Sequence, residues 1–150
     1  MQEAIERAVE NVRSGRGGPF GAVVVKDGRI IASAANSVTT TNDPTAHAEV
    51  LAIREACRVL GTFQIAGCEL YTSCEPCPMC LGAIYWARPD HVYFAATAAD
   101  AAEAGFDDSF IYDELKLPHH ERKIPLEPMM REAGLAPFRE WTNKNDRVNY

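Results

Sequence analysis

The run Cys74-Glu75-Pro76-Cys77-Pro78-Met79-Cys80 packs three thiols into seven residues, and His47 and Glu49 stand about thirty positions upstream. Cys77 and Cys80 are three apart at the start of an expected helix, so both thiols project from one face of its first turn. Unpaired backbone N–H groups and the helix dipole favour the thiolate there, the form that a soft cation such as zinc requires. A CxxC by itself also serves structural and redox roles. A lone histidine is more commonly a cap or a core residue, and Glu49 alone reads equally as a solvated helix residue. Taken together, two thiolates and one imidazole leave one tetrahedral position free for water, whereas a structural zinc is closed by four protein ligands. Cys74 is the rival fourth ligand, and Cys57 and Cys68 read as small buried apolar residues. In the open arrangement the metal lowers the pKa of water to about 7. The resulting nucleophile can attack an electrophilic carbon, and Glu49 can take the water's proton and pass it to the departing group.

For His47 to meet the cysteines, the chain between them must go out and come back. Asp43-Pro44 reads as a helix start, with Asp43 as N-cap and Pro44 in the first turn, and Ala46, Val50, Ile53, Ala56 and Cys57 form an apolar stripe ending near Gly61. A helix over 45–59 travels about 22 Å. The strand expected at 69–73 returns about 20 Å, and Pro76 then opens a helix through about Ala87. Ligands distant in sequence thereby converge at two neighbouring helix N-termini, and His47 and Glu49, two apart, both reach a metal that lies off the helix mouth.

Around this core the chain begins with an amphipathic helix carrying Ile5, Ala8, Val9 and Val12 at helical spacing and ended by Ser14-Gly15. Two β-branched runs, 20–26 and 29–35, flank Asp27-Gly28, the pair that a type I′ turn requires. One more strand is expected at 91–95 and a helix near 109–117, with no other element assigned beyond residue 98. Helix, hairpin, then alternating helix and strand predict an α/β protein: a three-layer α/β/α sandwich with a mixed central sheet. The 150 residues fit a single domain.

Composition narrows the function classes. An apolar fraction of 47% and a charged fraction of 24% describe a soluble globular chain. The net charge of −6 opposes a phosphate backbone and argues against nucleic-acid binding. No stretch reaches the length of a membrane span, and the acidic, amphipathic start is unlike a signal peptide. An odd cysteine count with a metal-type cluster suits a reducing compartment, so cytoplasm is expected.

HAE at 47–49 with PCPMC at 76–80 carries the zinc deaminase signature H-x-E and P-C-x-x-C. The wider segments GGPFGAVVVKDGRII, NDPTAHAEVLAIR, LYTSCEPCPMCLGAIYWARP and AAEAGFDDSFIY resemble bacterial guanine deaminases of the cytidine-deaminase-like fold, over about residues 17–112. The resemblance implies hydrolysis of guanine to xanthine and ammonia, with one zinc per chain on His47, Cys77 and Cys80 and with Glu49 as the proton carrier. It further implies that Phe20, Asn36 and Trp86 line the base pocket, and that Asp108 contacts the purine and shares in proton transfer. A homodimer is implied as well, in which C-terminal segments of about 138–150 are exchanged so that Tyr150 reaches a partner's pocket. Phe20 and Trp86 have plain packing readings, Asn36 a turn reading, and Asp107 and Asp108 can each cap a helix; Glu75 is read as fixing its turn. The nearest rivals are tRNA adenosine and cytosine deaminases with the same zinc chemistry. A zinc-stabilised scaffold is the non-catalytic alternative, but it has no use for Glu49.

Overall fold

The protein is described here by a computed structural model covering residues 1–150. Its contacts divide it into two compact units, Met1–Asp108 and Ser109–Tyr150.

The first unit begins with α1 (Gln2–Arg13), followed by the hairpin β1 (Gly21–Lys26) and β2 (Arg29–Ala35). Asp27 and Gly28 both have positive φ, 49° and 72°, as a type I′ turn demands. Next come the short α2 (Val38–Thr41), α3 (Ala48–Leu60), β3 (Cys68–Cys74), α4 (Pro78–Ala87), β4 (His91–Ala96) and α5 (Ala98–Glu103). The sheet is mixed, in the order β2-β1-β3-β4: β1 runs antiparallel to both β2 and β3, and β3 runs parallel to β4.

Side chains alternate across a strand, so adjacent β1 residues report on opposite layers. Ala22 and Val24 join Leu70 on one face, under Ala52, Ile53 and Ala56 of α3 and Ile84 and Ala87 of α4. Leu70 is fully buried in this layer, and its truncation to Ala would cost about 2–5 kcal/mol. Gly21 faces the other way, where α1 lies so close that a Cβ would stand 2.3 Å from the Ala4 carbonyl oxygen. Helices therefore cover both faces, as the expected sandwich requires.

Three expectations are corrected. The buried side of α1 is Ala4, Ala8 and Asn11, while Val9 and Val12 are exposed; the tight approach at Gly21 selects small residues over the larger apolar ones. Helix α3 starts at Ala48 with His47 as its N-cap. Asp43 instead accepts hydrogen bonds from the Thr45 N–H (2.8 Å) and hydroxyl (2.7 Å), closing a local turn around Pro44. Helix α4 starts at Pro78, leaving Pro76 outside it, because Cys77 is the N-cap. Finally, α5 was not expected, although Thr97 and Asp100 form a capping box with Thr97-x-x-Asp100 spacing that signals a helix start.

The second unit contains α6 (Ser109–Lys116), a 3₁₀ turn (His119–Glu121), α7 (Arg131–Gly134) and α8 (Ala136–Asn143). It has no buried residue, although Phe110, Leu115, Phe138 and Trp141 belong to it.

Candidate active site

The N-termini of α3 and α4 meet, as the out-and-back path of the chain predicts. His47 and Cys77 are the N-cap residues of the two helices, and Cys80 lies one turn into α4. The Cys77 sulfur accepts a hydrogen bond from the Cys80 backbone N–H at 3.5 Å, so a thiolate stands where a capping oxygen would. His47 Nδ1 lies 3.5 Å from the sulfur of Cys77 and 3.5 Å from that of Cys80. The three donor atoms all lie within 4.8 Å of one another.

This donor set fits zinc. With Zn–S near 2.3 Å and Zn–N near 2.0–2.1 Å, tetrahedral geometry puts sulfur and nitrogen about 3.5 Å apart. Cys74 does not join the group: its thiol points at the Thr97 carbonyl oxygen, 3.5 Å away. The protein thus offers three donors, which is the open arrangement rather than the closed structural one. Cys68 is buried and Cys57 half-buried against the core, as small apolar residues would be.

Electrostatics among the three donors follow from the Cys77 sulfur that they share. The hydrogen bond from the Cys80 thiol, with help from His47, pulls Cys77 down to about 4, against the opposing effect of burial. The same hydrogen bond and burial push Cys80 upward. His47 is raised by its bond to Cys77, partly offset by burial. A dication in place of the Cys80 thiol proton and the His47 Nδ1 proton would find a lone pair on each of the three groups.

Glu49 occupies the first turn of α3, is 5% exposed, and accepts a hydrogen bond from the Thr72 hydroxyl at 3.3 Å. Desolvation raises its carboxyl above the usual range, so it holds a proton more readily than a surface glutamate.

A cavity of about 530 Å³ opens over these groups and is lined by His47, Glu49 and Cys77 together with Phe20, Asn36, Asp107 and Asp108. Phe106, which no sequence signal singled out, also lines it and meets Phe20 edge to face, with ring centroids 5.0 Å apart at 87°. Asn36 is buried, and its side-chain oxygen accepts from the Val38 N–H at 3.3 Å. Burial, then the Cys77 charge, raises the Asp108 carboxyl. Glu75 accepts from the Ala98 N–H at 2.9 Å and ties the β3–α4 turn to α5, the structural role read for it. Trp86 does not line the cavity: it lies nine positions past Cys77 along α4, about 13 Å down the axis, and is 63% exposed. Tyr150 belongs to the second unit, whereas every lining residue lies within 1–108.

Comparison with known proteins agrees with this site. Residues 1–96 match the cytidine and deoxycytidylate deaminase zinc-binding region. A guanine deaminase of Bacillus subtilis is 60% identical over 150 residues, 100% of this chain and 96% of its own. The X-ray structure of guanine deaminase from that organism superposes with a TM-score of 0.97, covering 99% of this chain and 95% of the other. A tRNA-specific adenosine deaminase of Aquifex aeolicus is 50% identical over 112 residues, 73% of each chain. The three-donor centre, the buried glutamate beside it and the match over 1–96 lead to one assignment: the chain belongs to the cytidine and deoxycytidylate deaminase zinc-binding family, the zinc-dependent aminohydrolases.

Proposed function

We propose that this enzyme converts guanine and water to xanthine and ammonia. The observation that carries the reading is the cavity in which an open three-donor metal site adjoins the buried Glu49, within a chain 60% identical end to end to a guanine deaminase. His47, Cys77 and Cys80 hold one zinc ion. When bound there, zinc supplies the Lewis acidity that makes water nucleophilic near neutral pH. Glu49 takes a proton from the attacking water as its oxygen bonds to the amine-bearing carbon of the base. The same carboxyl passes that proton to the ring nitrogen, then takes the proton of the newly bonded hydroxyl and gives it to the amine, so that the C–N bond breaks and ammonia leaves as the carbonyl forms.

Phe20, with Phe106 behind it, forms an aromatic wall for the purine. Asn36 offers an amide and Asp108 a carboxyl to its polar edge, and Asp108 shares in proton transfer. We further propose that residues 1–150 act as one domain within a homodimer, and that about 138–150 are exchanged so that Tyr150 closes the partner's cavity. The absence of any buried residue over 109–150, despite its large apolar side chains, supports that exchange. The thiolate-dependent centre belongs in a reducing compartment, the cytoplasm; no helix is long and apolar enough to cross a membrane.

The test is ammonia release by zinc-analysed protein offered guanine, guanosine, adenine, cytosine and a tRNA anticodon arm separately. Selective turnover of guanine, lost on chelation, is expected; preference for another substrate refutes the assignment. Mixing Glu49→Gln and Tyr150→Ala chains tests the exchange. A swapped mixed dimer contains one intact site and regains activity, whereas no gain on mixing refutes it.

A further inference from the structure

The structure assigns Asn11, on the buried face of α1, as the residue that positions Asn36 in the base pocket. This rests on the proposed function, in which Asn36 contacts the purine. Asn11 is 3% exposed. Its side-chain NH₂ donates to two backbone carbonyls, that of Gly18 at 2.9 Å and that of Asn36 at 2.8 Å. Both partners are acceptors only, so the chemistry of the site itself requires the NH₂ to face them.

The bonds around it form a closed circuit. The Phe20 N–H donates to the same Gly18 carbonyl at 2.9 Å, and the Asn36 N–H donates to the Phe20 carbonyl at 3.0 Å. Phe20 and Asn36, two lining residues from opposite ends of the β1–β2 hairpin, are therefore pinned to each other and to α1 through one amide. Asn36 is held at its N–H by Phe20, at its carbonyl by Asn11, and at its side-chain oxygen by the Val38 N–H. What remains to face the cavity is a side chain with little freedom to turn.

Gly17 shows how tightly this junction closes. A Cβ there would stand 2.2 Å from the Asn36 carbonyl oxygen and 2.8 Å from the Asn11 side-chain nitrogen. Gly17 does not need positive φ, so space alone excludes a side chain. Adding one pushes on the same carbonyl that Asn11 holds, from a different residue and without touching the metal donors.

Asn11→Leu and Gly17→Ala perturb the junction independently. The expected result in both is a rise in KM for guanine of about tenfold, the scale of one misplaced polar contact. Turnover at saturation should stay within about twofold, because the zinc donors and Glu49 are untouched. Zinc content of one per chain and cooperative melting confirm folding; if Asn11→Leu fails to fold, Gly17→Ala decides. An unchanged KM in a folded variant overturns the assignment, as does a loss of turnover at unchanged KM. Failure of the wild type to release ammonia from guanine would instead refute the proposed function. In that event the crystal structure of Asn11→Leu decides the positioning: a displaced Asn36 supports it, and an unmoved one overturns it.

Discussion

Replacing Glu49 by Gln removes the proton carrier while keeping nearly every contact. The two side chains have the same shape, and the Gln carbonyl oxygen can still accept the Thr72 hydroxyl bond of 3.3 Å. The substitution also removes a carboxyl that is 5% exposed and whose proton affinity burial has raised. The linkage sign is definite. In the zinc-free protein the native state binds more protons than the unfolded one from the ordinary glutamate range up to the raised native range, so ionising Glu49 lowers stability as pH rises through that window. Gln carries no such cost, so the variant should melt at or above the wild-type temperature near neutral pH. Catalysis should behave oppositely. One well-placed general acid–base contributes about 10²–10⁴-fold, and Glu49 serves both the water and the leaving amine, so turnover should fall by about 10³-fold or more. The assay is ammonia release alongside zinc analysis, with the thermal melt run on the zinc-stripped protein. A variant with one zinc per chain and near-normal turnover would refute the reasoning, since nothing else would then be missing but the proton carrier.

Cys74→Ala should retain one zinc per chain, because its thiol points at Thr97 rather than at His47, whereas Cys80→Ala should lose the metal; zinc loss from Cys74→Ala would restore the closed-site reading. In zinc-free protein the 240 nm thiolate absorbance should persist on acidification until about pH 4, where Cys77 takes its proton. Because that pKa is depressed, the stabilisation from Cys77 is complete above about pH 9 and is lost progressively down to about pH 4; a thiolate signal already gone at about pH 7 contradicts this. Gly21→Ala forces a Cβ to within 2.3 Å of the Ala4 carbonyl and 2.8 Å of the Ala8 nitrogen, both backbone atoms of α1. It should cost about 1–3 kcal/mol, a fall of roughly 2–12 °C in melting temperature, and a shift under 1 °C would show that α1 moves away freely.

The parts of the fold that the sequence announced are those written in local chemistry. Asp27-Gly28 specifies a turn because few other pairs adopt positive φ twice in succession. The helix of the CxxC was expected to open at Pro76 and opens two residues later, because Cys77 supplies the capping acceptor and Pro78 the preset φ. Asp43-Pro44 carries the same kind of signal and misled, because the Asp43 side chain found the nearby Thr45 N–H and hydroxyl and closed a turn before the helix could begin. Local rules state which bonds a side chain can make, not which competitor captures it.

The metal donors were legible because their types are rare, their spacing is set by helix geometry, and the chain between them has a length that must return. Three further features depended on neighbours distant in sequence. The thiol of Cys74 was turned aside by a carbonyl 23 positions away. The side of α1 that packs inward was selected by the near contact with Gly21, which buries Ala4, Ala8 and Asn11 and leaves Val9 and Val12 outside. Asn11 itself looks like any polar residue on an amphipathic helix until the Gly18 and Asn36 carbonyls converge on it. Residue type and spacing thus determined which chemistry the protein carries. Which side chains face the cavity was decided only when sheet and helices closed, since burial and the pairing of backbone carbonyls are properties of the packed layers and not of any single segment.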